Sequence, residues 1–240
     1  MSVDFRIMAV RQRREKYILP MLKSLGMDES IVLYDDEYNK KEKNINAYRC
    51  CKRAFLLPTT KTHVCVLQDD LELCDNFVEI AEKCAETFPN AVFSFYQSTL
   101  TEADKLPDSP YVKINGCGMY GQCIMIPSSI INIMFDWIDC NYGLDYTHSD
   151  IPIGAFCLKN NVSVMATNPC ILQHLAHNDS AMGYNNKNKV SKVYSPHIDV
   201  EQFGSRKYFE KYVANGDYPP VGGYKFGKLL SIAEMVKMRT

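Results

Sequence analysis

Val64-Cys65-Val66-Leu67-Gln68-Asp69-Asp70-Leu71-Glu72 is the stretch that decides the fold. Four apolar residues, two of them β-branched, predict a short buried strand, and the strand ends in acids. Asp69, Asp70 and Glu72 put three carboxylates within four residues. Unpaired at a strand end they would repel and raise one another's pKa. A hard divalent cation, magnesium or manganese, removes that cost because carboxylate oxygens suit it. Such a cation also neutralises a diphosphate, and the carboxyl edge of an α/β sheet is where one binds. The plainer reading is an acidic turn that caps the following helix.

Toward the N-terminus, residues 5–10 (Phe-Arg-Ile-Met-Ala-Val) read as a first strand running into Arg11-Gln12-Arg13-Arg14. A helix is predicted from there to about Leu25, closed by Gly26. Arginines where a strand meets a helix N-terminus suit phosphate, by charge and by helix dipole, and Arg11 and Arg14 are the two assigned to it. Residues 31–34 predict a second strand, ending in Asp35-Asp36-Glu37. Asp35 there is placed to accept from a ribose hydroxyl or a base N–H. Residues 44–56 have helical spacing, with Asn44 and Arg49 near the start and facing the same cleft. After the central strand, Asp75 opens a helix with apolar residues at Phe77, Val78, Ala81, Cys84, Ala85 and Phe88, ended by Pro89. Residues 91–96 predict another strand. The β-α-β-α-β-α-β rhythm argues for a mostly parallel sheet covered by helices.

The rhythm then breaks. Residues 98–109 are polar with two prolines and predict a surface loop; residues 111–114 are a short strand and 115–118 a turn. An apolar strand at 119–126 leads to Pro127, which opens a helix to about Ile138. Asp150 begins an apolar helix at 151–158, Asn160-Asn161 turn the chain, and 162–166 is a strand. Residues 1–183 thus form a Rossmann-like α/β core. Residues 184–240, polar and then Gly/Pro/Tyr-rich, form a C-terminal extension packed on it.

At 240 residues the chain is long enough for a sizeable core. With 46% hydrophobic and 23% charged residues and a net charge of −1, nothing general favours nucleic acid or membrane as partner. The ten cysteines form no CxxC pair, and several fall on apolar positions, so they read as buried free thiols of a reducing compartment. No signal-peptide core and no apolar run of roughly 18 residues is present, which predicts a cytoplasmic protein without a transmembrane segment.

Taken together, these features resemble the GT-A fold of nucleotide-sugar-dependent glycosyltransferases. Val66-Leu67-Gln68-Asp69-Asp70-Leu71 is similar to that family's D-x-D-type motif, with Gln68 in place of the first acid. Pro169-x-x-Leu172-Gln173-His174-Leu175-Ala176-x-x-x-Ser180 is similar to its P-x-L-x-Q-H-x-G-x-x-S segment, with Ala176 in place of glycine. Asp150 resembles the acid that precedes an apolar helix and acts as base in inverting members. The resemblance covers residues 5–182. It implies a manganese or magnesium site made by Asp70, Glu72 and His174, with Asp69 beside the donor. It implies a nucleotide-sugar donor, UDP-linked by preference, and Asp150 as catalytic base toward an acceptor hydroxyl. His177 is the fallback ligand, and Asp145 and His148 are the rival bases.

Two rival readings stand beside this one. A nucleotidyltransferase would carry a glycine-rich basic loop after the first strand, and Ala9-Val10-Arg11-Gln12-Arg13-Arg14 holds no glycine. A non-catalytic nucleotide- or glycan-binding module would lack hydrolysis of the donor. The acceptor is open between a glycan, a small molecule, a protein and a hydroxylated DNA base. For the last, Lys187, Lys189, Lys192 and Arg206 with Tyr184, Tyr194 and Tyr208 make a basic, aromatic stretch.

Overall fold

The structure is a computed structural model that describes residues 2–36, 43–97, 111–114, 119–142, 149–167, 169–175, 190–191, 194–198 and 200, of which 43–46 and 111–114 by main chain only. In chain order the strands are β1 (Val3–Ala9), β2 (Val32–Tyr34), β3 (His63–Gln68), β4 (Leu71–Leu73), β5 (Val92–Ser94), β6 (Tyr111–Ile114), β7 (Cys123–Pro127), β8 (Val164–Thr167) and β9 (Leu172–His174). The helices are α1 (Leu19–Leu25), α2 (Lys43–Leu56), α3 (Phe77–Thr87), α4 (Ser128–Tyr142) and α5 (Asp150–Lys159). A 3₁₀ turn (Arg11–Arg13) and a π-helical turn (Arg14–Ile18) lie between β1 and α1.

Seven strands form one sheet in the order β2-β1-β3-β7-β5-β8-β6. Pairing makes β1, β2, β3, β5 and β8 run one way and β7 and β6 the other. The mostly parallel α/β sheet expected from the sequence is therefore present as a mixed sheet. Its one internal departure is β7, which lies antiparallel between β3 and β5.

Burial on both faces explains the near-continuous apolar strands. On one face Phe5, Ile7, Cys65 and Leu67 pack with Leu22, Phe77 and Ile80 from α1 and α3. On the other, Val64, Val66, Ile124 and Ile126 pack with Tyr48, Phe55, Trp137 and Phe156 from α2, α4 and α5. Adjacent residues of β3 thus serve opposite cores, as a period of two requires. No described helix is long and apolar enough to cross a membrane.

Several boundaries differ from the sequence reading for local reasons. Pro127 ends β7 and α4 starts at Ser128. Asp75 does not cap α3; Asn76 occupies that position, and Asp75 pairs instead with His197 at 2.5 Å. Gly26 does close α1, with φ 65° and its N–H donated to the Leu22 and Lys23 carbonyls. A Cβ there would meet nothing within 4 Å, so Gly26→Ala would carry left-handed backbone strain without a clash. The expected result is a loss of about 1 kcal/mol, read by urea unfolding.

The start of the predicted extension is tied to the core. Gln173 Nε2 donates to the Ser191 carbonyl and Asn76 Nδ2 to that of Ile198, while Cys170 bridges to Tyr194. Ile198, 5% exposed, joins the α1/α3 core. Residues 201–240 lie outside the described residues, as do the predicted loop at 98–109 and the turn at 115–118.

Candidate functional site

Connections from β1 lead to β2 on one side, and the chain then returns to place β3 on the other. Adjacent strands whose connections leave in opposite directions open a crevice at their carboxyl ends, where ligands of open α/β sheets bind. Here that crevice lies between Val10, after β1, and Asp69 and Asp70, after β3. Because β7 is reversed, its beginning reaches the same edge. So does the N-terminus of α5, which leads into β8, between β5 and β6.

Asp69 and Asp70 are buried there, 6% and 7% exposed. Asp69 has both oxygens engaged: Oδ2 accepts the Val10 N–H at 3.0 Å and Oδ1 accepts Arg13 Nη1 at 2.7 Å. The same Arg13 nitrogen reaches Asp70 Oδ2 at 3.2 Å. His174 Nε2 lies 3.4 Å from that oxygen. Asp70 Oδ1 and His174 Nδ1 are buried without a hydrogen-bond partner among the described residues. An orphaned carboxylate oxygen in a buried site is costly, and costs of this kind mark ligand sites.

His174 reaches Asp70 through a device absent from the sequence reading. The three-residue strands β4 and β9 pair antiparallel as a second small sheet, with Leu71 opposite His174. The Leu175 N–H then donates to the Asp70 carbonyl at 2.9 Å. Behind the imidazole stands Tyr96, with ring centres 5.9 Å apart, and Tyr120 packs edge-on to Tyr96 at 5.5 Å.

The electrostatics separate the two acids. Burial pushes the Asp69 carboxyl up to about 6 against the pull of Arg13. Burial acts on Asp70 too, but the bonds and charges of His174 and Arg13 outweigh it and hold that carboxyl below its usual range. Asp70 is the more firmly ionised of the pair. Arg13 loses hydration on burial, yet the two carboxylates raise its pKa further.

Arg11 and Arg14, assigned to phosphate from the sequence, pair with acids other than Asp69 and Asp70. Arg11 is exposed, paired with Asp36 at 2.7 Å and lying 4.4 Å over the Tyr34 ring. Arg14 pairs with Glu15 and, at 2.6 Å, with Glu29. Arg13, between them, is the one that meets the acids, backed by Tyr17 at 5.4 Å. Glu72 is exposed on β4 and accepts Tyr194 Oη at 3.4 Å, apart from the Asp70–His174 pair.

Asp35 follows β2, its N–H bonded to the Ala9 carbonyl, and both Asp35 and Asp69 act electrostatically on the Cys50 thiol. Arg49 is exposed on α2, while the Asn44 side chain lies outside the described residues. Asp150 begins α5, half-buried, with Oδ1 accepting the Ile151 N–H at 2.9 Å. It packs on Gly121, where a Cβ would stand 3.6 Å from its own. Gln68 Nε2 donates to the Gly121 carbonyl at 3.1 Å, and Gln68 directly precedes Asp69 in the chain. His177, Asp145 and His148 lie outside the described residues.

Among the described residues no group of three or more His, Cys, Asp or Glu is arranged to hold a metal. Asp70 and His174 supply two donors. Magnesium-type cations are commonly held by one or two carboxylates, with water and substrate phosphate completing the shell. The donor set fits that shared mode and not an all-protein cage. No protein-family model matches the chain, and no curated protein matches it.

Proposed function

We propose that this chain is a GT-A-type glycosyltransferase that moves a sugar from a nucleotide diphosphate donor, UDP-linked by preference, to an acceptor hydroxyl. One observation carries the reading: Asp70, buried and ionised beside His174, has an unpartnered oxygen at the crevice between β1 and β3. A site with that charge and position suits a divalent cation shared with a diphosphate. The mixed sheet and the convergence of Asp35, Asp69, Asp70 and Asp150 on its carboxyl edge support the same reading.

Asp70 and His174 would hold manganese or magnesium, which when bound stabilises the negative charge developing on the leaving diphosphate. Asp69, engaged by Val10 and Arg13, orients the turn that carries Asp70. Asp35 accepts from the donor's ribose or base. Asp150 takes the proton of the acceptor hydroxyl as it attacks the anomeric carbon, with inversion. The Tyr96–Tyr120 wall keeps water from His174.

The test is a thermal-shift panel of UDP- and GDP-sugars, each with and without manganese. A UDP-sugar should raise the unfolding midpoint by several degrees, and only with manganese. Equal stabilisation in EDTA would remove the shared-cation reading, and no stabilisation by any nucleotide sugar would remove the donor class.

A further inference from the structure

We infer that Arg13 is a built-in counter-cation that keeps bare divalent cations out of the acidic pair, so that the site captures a cation together with a nucleoside diphosphate. The inference rests on the functional reading above and specifies the ligand form that the same site accepts.

The geometry comes first. One guanidinium nitrogen bridges two carboxylates, at 2.7 Å from Asp69 Oδ1 and 3.2 Å from Asp70 Oδ2. The Arg13 side chain is 8% exposed, and its N–H donates to the Val10 carbonyl at 3.0 Å, so the 3₁₀ turn fixes where it enters the crevice. Guanidinium does not deprotonate in a protein. Arg13 therefore presents a permanent positive charge to anything that approaches Asp70.

Charge accounting gives the consequence. Two carboxylates against one guanidinium leave a single negative charge before His174 is counted. Both Asp69 oxygens are occupied, which leaves Asp70 Oδ1 as the one carboxylate oxygen of the pair without a partner among the described residues. A dipositive ion on that oxygen gains one close anion and meets one close cation in a weakly screened site. It also lacks most of a six-oxygen shell. A diphosphate reverses both deficits, because it brings further oxygens and negative charge that Arg13 attracts. Arg13 thus acts through the carboxylates and the incoming phosphate as a positioning residue, with selectivity for the complex as its outcome.

Removing the guanidinium should release the acids to the metal. In Arg13→Gln, Asp69 loses its 2.7 Å partner, and two buried carboxylates face the crevice without the guanidinium, with only His174 beside Asp70. A divalent cation is then the nearest substitute. The probe is manganese alone, titrated into wild type, Arg13→Gln and Arg13→Lys and followed by the electron paramagnetic resonance of free manganese, with and without UDP. Wild type should take manganese weakly alone and at least roughly tenfold more tightly with UDP. Arg13→Gln should bind bare manganese roughly tenfold more tightly than wild type and lose most of the UDP dependence. Arg13→Lys keeps the charge and should stay within about threefold of wild type for bare manganese.

If Arg13→Gln folds only with metal, its unfolding midpoint should rise with manganese alone, where that of wild type needs UDP as well. Bare manganese binding unchanged in folded Arg13→Gln, while wild type still takes manganese with UDP, overturns the counter-cation and leaves the functional reading standing. Equal gains in Arg13→Lys and Arg13→Gln overturn it too, since charge would not be the cause. Failure of wild type to bind manganese even with UDP overturns the inference and the functional reading together.

Discussion

Asp70→Asn should abolish sugar transfer, by roughly 10³-fold or more, while the protein stays folded. Asp70 is buried, and its Oδ1 has no hydrogen-bond partner among the described residues. Asparagine keeps the size of the side chain and an acceptor for Arg13, so the turn after β3 need not move. Arg13 still has Asp69, which leaves a one-to-one buried pair and no stranded cation. What disappears is the negative charge that His174 and Arg13 hold ionised. The measurements are transfer rate, manganese-dependent donor affinity and the unfolding midpoint of one variant. Near-normal transfer in manganese would remove Asp70 from the site, and so would wild-type activity that resists EDTA. A collapse of the midpoint that accounts for the lost rate would make the residue structural.

Strands β3, β5, β7 and β8 were legible because they are buried on both faces, and a short unbroken apolar run such as that of β3 suits a strand covered on both sides. The acidic pair was legible for the opposite reason, since charge at the end of such a run contradicts its surroundings. The position of β7 was not legible. It pairs with β3 and β5, and no periodicity within a strand says which distant strand lies beside it. The sheet of β4 and β9 escaped as well, because three residues each carry too little pattern, yet it is what brings His174 to Asp70.

The choice among the arginines shows the limit most sharply. Counting back in fours from buried Met21 and Tyr17 reaches Arg13, and from buried Leu22 and Ile18 it reaches Arg14. Regular helix spacing leaves both at the edge of the buried stripe. The 3₁₀ turn followed by a π turn shifts the phase so that Arg13 faces the acids and Arg14 faces Glu29. The one sequence signal that favours Arg13 is Tyr17, a cation–π partner four residues on.

Asp150→Asn should separate binding from chemistry. Asp150 stands at the first residue of α5, on the side of the crevice formed by Gly121, and Gln68 ties Gly121 to the residue before Asp69. Asp150 is half-buried, and its carboxylate also acts electrostatically on Cys51 of α2. The Ile151 N–H donates to Oδ1 at 2.9 Å at the start of the helix. On the proposed function a carboxylate there would accept the acceptor's proton, whereas the donor's diphosphate would be held at Asp70. Asparagine preserves the Ile151 bond, so α5 should start unchanged. Donor affinity, measured by calorimetry, should then stay within about twofold, while acceptor-dependent turnover should fall by roughly 10²-fold or more, the usual loss for a general base. Equal loss of both would make Asp150 a structural start to α5. Loss of neither would move the base to Asp145 or His148, which the matching substitutions, Asp145→Asn and His148→Gln, would then identify by the same pair of measurements.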